Sequence, residues 1–491
     1  MIIHEQSVVS PDSFLLSSPS LQEQHSIIRQ LRQQAVPHFR PIVQEGSSPI
    51  RVMARMVHEL EEHCRELHFS EEVIRSEIVN RTIGDVNLRN ITEYEGEPGG
   101  PRDYRLLADE LGVALPHEQL RGGVVATGET YLWLRDQMHI CERELLQQGI
   151  DLRIYDMHGN GNIVLRGWLA KEMQKWGLPA VAEQLHLGLG AMDSIDKVLR
   201  GLALLFKDQQ RSDIVVLFPT PGFNVPEWQA QSYGYRLHKF PTDAANYFKL
   251  TAEQLDDILS QNPAIRALYL TVTNNPTTFA YTPDELHQLY AVLRKYWESG
   301  REIFILADLA YIGTGIPAED QARMATFKAP DVFAHTFFIS SFSKSYTLTG
   351  ERFGWVTIGS PEIATMLIPC WANSMASLPA EWQLRFMAYE RLIQARPWLI
   401  EKLRAFYRLR RNRLVAQLRH LDAELQLFTQ VHIGDDATVY NWSQLRPGED
   451  AFSLFEKTGI AGVPGSGFGY TDDYVRFSIG VIPVPVIDAQ S

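Results

Sequence analysis

The chain is short of cysteine: Cys64, Cys141 and Cys370 are the three it has in 491 residues. Standing far apart, they exclude a disulfide framework and the close spacing of a zinc site, and they suit a reducing, cytoplasmic setting. Long apolar runs are missing as well. No stretch approaches the ~18 apolar residues that would cross a bilayer, and the N-terminal MIIHEQSVVSPDSFLL has no basic start followed by an apolar run. The expectation is a chain neither exported nor inserted in a membrane. Basic blocks are absent too: the formal charge is −13, without long stretches of one sign, which argues against a nucleic-acid partner. His58, His63 and His68 step by five and so turn onto different sides of a helix; no metal site is expected from them.

With those classes set aside, 45% hydrophobic residues in a chain of this length suffice for two or more globular domains. Between residues 185 and 340 strand-like segments such as QLHLGLG, DIVVLFP, ALYLTVT, EIFILAD and TFFISSF alternate with helical patterns. That alternation predicts an α/β fold, a mostly parallel sheet sandwiched by helices. After Pro369 the pattern is helical to about Leu421, then mixed through ATVYNWSQL, GIAGVPGSGFG and DYVRFSIG, which predicts a smaller α+β C-terminal domain. Residues 1–46 form an N-terminal extension rich in serine and glutamine, with a helical pattern around Leu21–Ala35 and the character of an arm for a partner. Residues 47–87 are assigned to the small domain, 88–130 to an insertion, 131–369 to the large domain and 370–491 to the small C-terminal domain.

Most of the chemistry lies in SSFSKSYTLTGERFGW, residues 340–355. Phe337, Phe338 and Ile339 read as a buried strand that delivers Ser341, Ser343 and Lys344 at its end. A lysine becomes a nucleophile toward a carbonyl when desolvation or a nearby cation destabilises its ammonium, and Arg352 follows eight residues on. This string resembles the lysine motif of the class I/II pyridoxal-phosphate-dependent aminotransferases, of the aspartate aminotransferase fold (fold type I). Six further elements follow the family's order, and the resemblance covers roughly residues 48–482. It implies a pyridoxal 5′-phosphate cofactor held in a fold type I large domain. Lys344 is then the Schiff-base lysine that carries the cofactor as an aldimine, and Ser341, Ser343 and Arg352 hold its phosphate.

The other elements extend the resemblance. Gly190, Ala191 and Met192 open a helix, where backbone amides make a seat for phosphate. Phe223 in FPTPGF matches the aromatic stacked on the pyridine ring, with Trp228 its nearest competitor. Asn275 in TVTNNPTTF matches the partner of the cofactor's phenolic oxygen and lies beside the substrate; Asn274 gives a register shifted by one. Thr278 stands where the family has glycine, a departure that strains a backbone of positive φ. Asp308 ends the strand of EIFILAD, at the carboxyl end where such sheets bind ligands, and matches the partner of the pyridine nitrogen. Tyr311 matches a second partner of the phenolic oxygen; with Lys344 and Asp308 it completes the implied catalytic group. Arg476 in DYVRFSIG matches the arginine for the substrate α-carboxylate, a task for a guanidinium fork. Tyr155, before Gly159 and a Leu-Arg helix, matches a tyrosine that reaches the phosphate of a neighbouring subunit, and so implies a homodimer with shared active sites; Tyr94 is the second candidate. Arg102 and Arg105, in the insertion, are read as solvated.

The function implied is transfer of an amino group between an α-amino acid and a 2-oxo acid, with Lys344 moving the Cα proton. The alternative is a pyridoxal-phosphate-dependent lyase, decarboxylase or oxidase, and a non-enzymatic binding protein on the same fold is a third reading. The side chain of the substrate is not legible in these motifs.

Overall fold

The computed structural model describes residues 19–44, 48–85, 124–156, 158–395, 397, 399–434 and 439–480. Its strands, in chain order, are β1 (Val79–Asn80), β2 (Leu185–Leu189), β3 (Val215–Thr220), β4 (Arg236–Pro241), β5 (Ile265–Thr271), β6 (Phe304–Asp308), β7 (Thr336–Ser341), β8 (Phe353–Ile358), β9 (Phe428–Ile433), β10 (Tyr440–Leu445), β11 (Ile460–Ala461), β12 (Val463–Pro464) and β13 (Tyr474–Ser478).

Seven of them form one sheet in the order β2-β8-β7-β6-β5-β3-β4. Every neighbouring pair is parallel except the two that involve β8, which runs antiparallel to both β2 and β7. β6, β7 and β8 are buried at every position, as expected for strands covered by helices on both faces. One covering helix, Ala191–Asp208, turns Ile195, Val198, Leu199, Leu202, Leu205 and Phe206 to the sheet, apolar at three- and four-residue steps. Another, Pro283–Glu298, starts at Thr282, whose hydroxyl accepts from the Glu285 amide while Glu285 reaches back to the Thr282 amide; this reciprocal cap satisfies two otherwise orphan donors.

A second sheet, antiparallel, has the order β12-β13-β10-β9, and β1 pairs in parallel with β11 beside it. Residues 49–80 therefore join the C-terminal part of the chain: helix Pro49–Glu66 packs Val52, Met53, Met56, Val57 and Leu60 inward and lies against β11 and β12. The described part of the extension, residues 19–44, packs on its own chain. Its helix runs Leu21–Gln44, packs on helices Pro49–Glu66 and Ala451–Thr458 of its own chain, and anchors Arg29 and Arg32 on Glu77. Of the insertion, residues 88–123, with Tyr94, Arg102 and Arg105, lie outside the described residues. The boundaries drawn at 130 and 369 both fall inside helices, Val124–Gln147 and Pro361–Met375. Among the described residues no helix is long and apolar enough to cross a membrane.

Candidate active site

The carboxyl ends of β3, β5, β6 and β7 converge on a cavity of about 420 Å³. β7 ends at Ser341, and the loop to β8 closes on itself: the Phe342 amide donates to the Phe353 carbonyl at 3.1 Å and the Leu348 amide to the Phe342 carbonyl at 3.2 Å. The closed loop brings Ser341, Ser343, Lys344, Thr349 and Arg352 to the same wall. Arg352 has φ +57, and its guanidinium lies so close over the start of helix Ala191–Asp208 that a Cβ on Gly190 would come within 2.4 Å of it. Gly190 itself has φ +86, so both its conformation and this contact require glycine. Gly354 packs as tightly: a Cβ there would lie 2.5 Å from the Gly190 carbonyl carbon. An arginine, two serines and a helix N-terminus thus converge in a cradle suited to a phosphate dianion.

Asp308 lies deeper. Its Oδ2 accepts from the Tyr269 hydroxyl at 2.5 Å and its Oδ1 from the Ala310 amide at 2.9 Å. Burial raises its pKa, while the two hydrogen bonds oppose that shift. With no cation paired to it among the described residues, this buried carboxylate fits a protonated ring nitrogen. Tyr311, three residues on, donates to the Tyr440 hydroxyl at 3.2 Å. Burial, then Tyr440, push the Tyr311 phenol well up. In Tyr440 burial pushes the same way, but Lys344 and Arg476 outweigh it and bring that phenol down. The two phenols are thus pushed in opposite directions.

On the opposite wall Arg476, 3% exposed, stacks its guanidinium 4.3 Å from the Tyr440 ring and 4.8 Å from the Phe468 ring. It donates to Asn275 Oδ1 at 3.0 Å and to the Thr82 carbonyl at 2.9 Å, and its Nε has no partner among the described residues. Lys344 Nζ donates to the Gly84 carbonyl, and Arg352 to the carbonyls of Thr349 at 3.0 Å and Leu189 at 3.4 Å. Three cations thus line one cavity of an acidic chain, each held by neutral oxygens.

The structure brings together Ala191, Met192, Phe223, Asn275, Asp308, Tyr311, Ser341, Ser343, Lys344, Arg352 and Arg476 as lining residues, with Gly190 directly behind Arg352. Tyr155 is not among them; the residue is 76% exposed. Trp228 is also outside the lining, and Asn274 turns away to donate to the Pro221 carbonyl at 3.0 Å. Thr278 has φ +68 and is fully buried, the strained geometry expected where glycine is replaced.

Sequence reasoning missed Tyr440, Tyr269 and the strip Thr82–Asp85. Tyr269 is an interior residue of an apolar strand and reads as core. Tyr440 reaches the site because β10 and β13 pair Trp442 with Arg476, and the strip because β1 pairs with β11. Its one local signal was Gly84 in TIGD: a Cβ there would meet the Tyr440 hydroxyl at 2.6 Å.

Known proteins agree with this architecture. The family described as aminotransferase class I and II matches residues 188–483. An LL-diaminopimelate aminotransferase of Halothermothrix orenii is 27% identical over 273 residues, 54% of this chain and 65% of its own length, so under two thirds of that relative is spanned. Aromatic-amino-acid aminotransferase 2 of Thermococcus litoralis is 25% identical over 346 residues, 68% of this chain and 82% of that relative. In shape, the aspartate aminotransferase of Thermus thermophilus solved with maleate superposes with a TM-score of 0.62, covering 89% of this chain and 94% of that one at 17% identity; this likeness concerns the fold. With the family's match extending from the phosphate cradle past Arg476, the chain belongs to the class I and II aminotransferases.

Proposed function

We propose that the protein binds pyridoxal 5′-phosphate and moves an amino group between an α-amino acid and a 2-oxo acid. The observation that carries this reading is the set of three cations, Lys344, Arg352 and Arg476, held on neutral oxygens around one cavity with the buried carboxylate of Asp308. Arg352, Ser341, Ser343 and the amides at Ala191 and Met192 would hold the phosphate, Phe223 the face of the ring, Asp308 the ring nitrogen, and Tyr311 and Asn275 the phenolic oxygen. When bound, the cofactor supplies a carbonyl that exchanges amine partners and a ring that takes up charge from Cα.

The chain's own part follows from its contacts. Arg476 turns its fork to the substrate carboxylate, with Asn275 fixing one arm and the Thr82 carbonyl the other. The Lys344 amine, oriented by the Gly84 carbonyl, would take the proton from Cα and deliver it two bonds away, to the carbon on the far side of the substrate nitrogen. The buried Asp308 keeps a proton on the ring nitrogen, and Tyr269 holds that carboxylate in place. The same reading includes a homodimer in the cytoplasm: Tyr155 is exposed, away from its own cavity, and so available to a neighbouring copy. Two relatives are named for different amino acids, so the substrate has to come from the pocket.

Purified protein given an amino acid and a 2-oxo acid should form the matching new pair in equal amounts. Release of ammonia, carbon dioxide or peroxide in proportion to amino acid consumed would replace this reading by a lyase, decarboxylase or oxidase.

A further inference from the structure

The cavity is lined, among the described residues, by five charged side chains: Lys344, Arg352, Arg476, Asp308 and Asp85. Four have a place in the proposed function. Asp85 does not. Its Oδ1 is buried without a hydrogen-bond partner, and no described residue forms an ion pair with it. A carboxylate often stands at such a turn to cap it, but here Asn80 does that work, its Oδ1 accepting from the Thr82 amide at 3.1 Å and the Thr82 hydroxyl at 2.7 Å. Asp85 is left to face the cavity with an unmet acceptor, an arrangement that calls for a donor from outside the chain.

Its position says which donor. Along the strip, the Thr82 carbonyl holds Arg476, the Gly84 carbonyl holds Lys344, and Asp85 follows directly. A substrate with its carboxylate on Arg476 and its reacting amine at Lys344 would direct its side chain past Gly84 toward Asp85. Ile50, Ala54 and Ile83 line the same cavity and offer an apolar wall for a methylene stem. We propose that Asp85 is the side-chain subsite of this cavity and selects α-amino acids whose side chain ends in a second, cationic amino group, as in lysine or ornithine. The inference rests on the aminotransferase reading and adds the substrate class. An acidic side chain would be repelled there, and an apolar one would leave the carboxylate unpaired; a site built to bond a polar group rejects the analogue that lacks it.

The test uses the full-length protein loaded with pyridoxal phosphate and substrate analogues that bind without turnover. α-Methyllysine and α-methylnorleucine both lack the Cα proton and differ chiefly at the terminal ammonium, and their dissociation constants are read from the change in the cofactor's visible band. The wild-type protein is expected to bind α-methyllysine at least tenfold more tightly. Asp85→Asn should abolish that preference, Asp85→Glu should retain most of it, and Asp85→Lys should move it to α-methylglutamate. Equal binding of the two analogues by the wild type, or an unchanged preference in Asp85→Asn, overturns the inference while leaving the aminotransferase reading intact. No band change with any analogue, nor with lysine, norleucine or glutamate, overturns the aminotransferase reading and the inference with it.

Discussion

Buried charges are met in two ways in this protein. In the helical shell several are matched by an opposite charge inside the chain: Glu77 is held by His25, Arg29 and Arg32, Asp320 by Arg323 at 2.9 Å, and Asp193 by Lys197 at 2.5 Å. In the cavity Arg476 and Arg352 donate to neutral oxygens, as does Lys344, while Asp85 Oδ1 has no hydrogen-bond partner among the described residues. A buried charge without its counter-charge is costly, so a fold that keeps several around one cavity is organised for ligands that supply the missing charges. The shell pairs should govern stability and the cavity groups ligand binding, and mutations can test that division.

The largest effect is expected at Arg476. Replacing it with lysine removes the fork, and kcat/KM for an amino-acid substrate should fall on the order of a thousandfold, ~4 kcal/mol, mainly through KM, with the melting temperature little changed. Steady-state kinetics beside thermal unfolding checks both halves. The mirror experiment is Glu77→Gln in the shell. Removing the carboxylate strands Arg32, and stability should drop by ~3 kcal/mol while pyridoxal phosphate binding persists; a urea titration with a cofactor-binding assay reads this. If Glu77→Gln cost binding more than stability, the division would not hold.

A third case is an acid pair behind the lysine loop. Burial first, and then Glu172, push Glu390 up to about 8. An unfolded glutamate titrates near ~4.3, so the folded state holds this proton more tightly, and the associated stability is complete below that pH and lost as pH rises through about 8. Melting temperature should therefore fall from about pH 4.3 up to about pH 8 in the wild type, level off above that, and fall less in Glu390→Gln, which stays neutral. An identical decline over that window in both proteins would exclude Glu390 as its cause. The smallest effect is expected at Thr278. Glycine there relieves the positive φ but loses buried atoms, so Thr278→Gly should lie within ~1 kcal/mol of wild type. Thr278→Ala keeps the strain, loses side-chain atoms and should be less stable than Thr278→Gly in a denaturant titration.

The contrast also explains what was legible in the sequence. Lys344, Asp308, Asn275 and Arg352 lie at strand ends, where chain order and local turns place them, and short motifs sufficed to find them. The alternation of strands and helices likewise announced the large sheet. Tyr440 and Asp85 reach the cavity through pairings between segments far apart in the chain, β10 with β13 and β1 with β11; no local pattern encodes those. Tyr269 was hidden for another reason: an apolar strand uses its ring for the core and only its hydroxyl for Asp308. The anchoring of helix Leu21–Gln44 on its own chain was hidden likewise, because the Arg32–Glu77 pair spans 45 residues.

The central claim, that Lys344 bonds the cofactor in the cavity built by Arg352, Asp308 and Arg476, is tested most directly by borohydride reduction of the protein loaded with pyridoxal phosphate, followed by peptide mass mapping. The account predicts one modified residue, Lys344, and loss of the visible cofactor band in Lys344→Ala. Modification of a different lysine, or a band that survives Lys344→Ala, would contradict it.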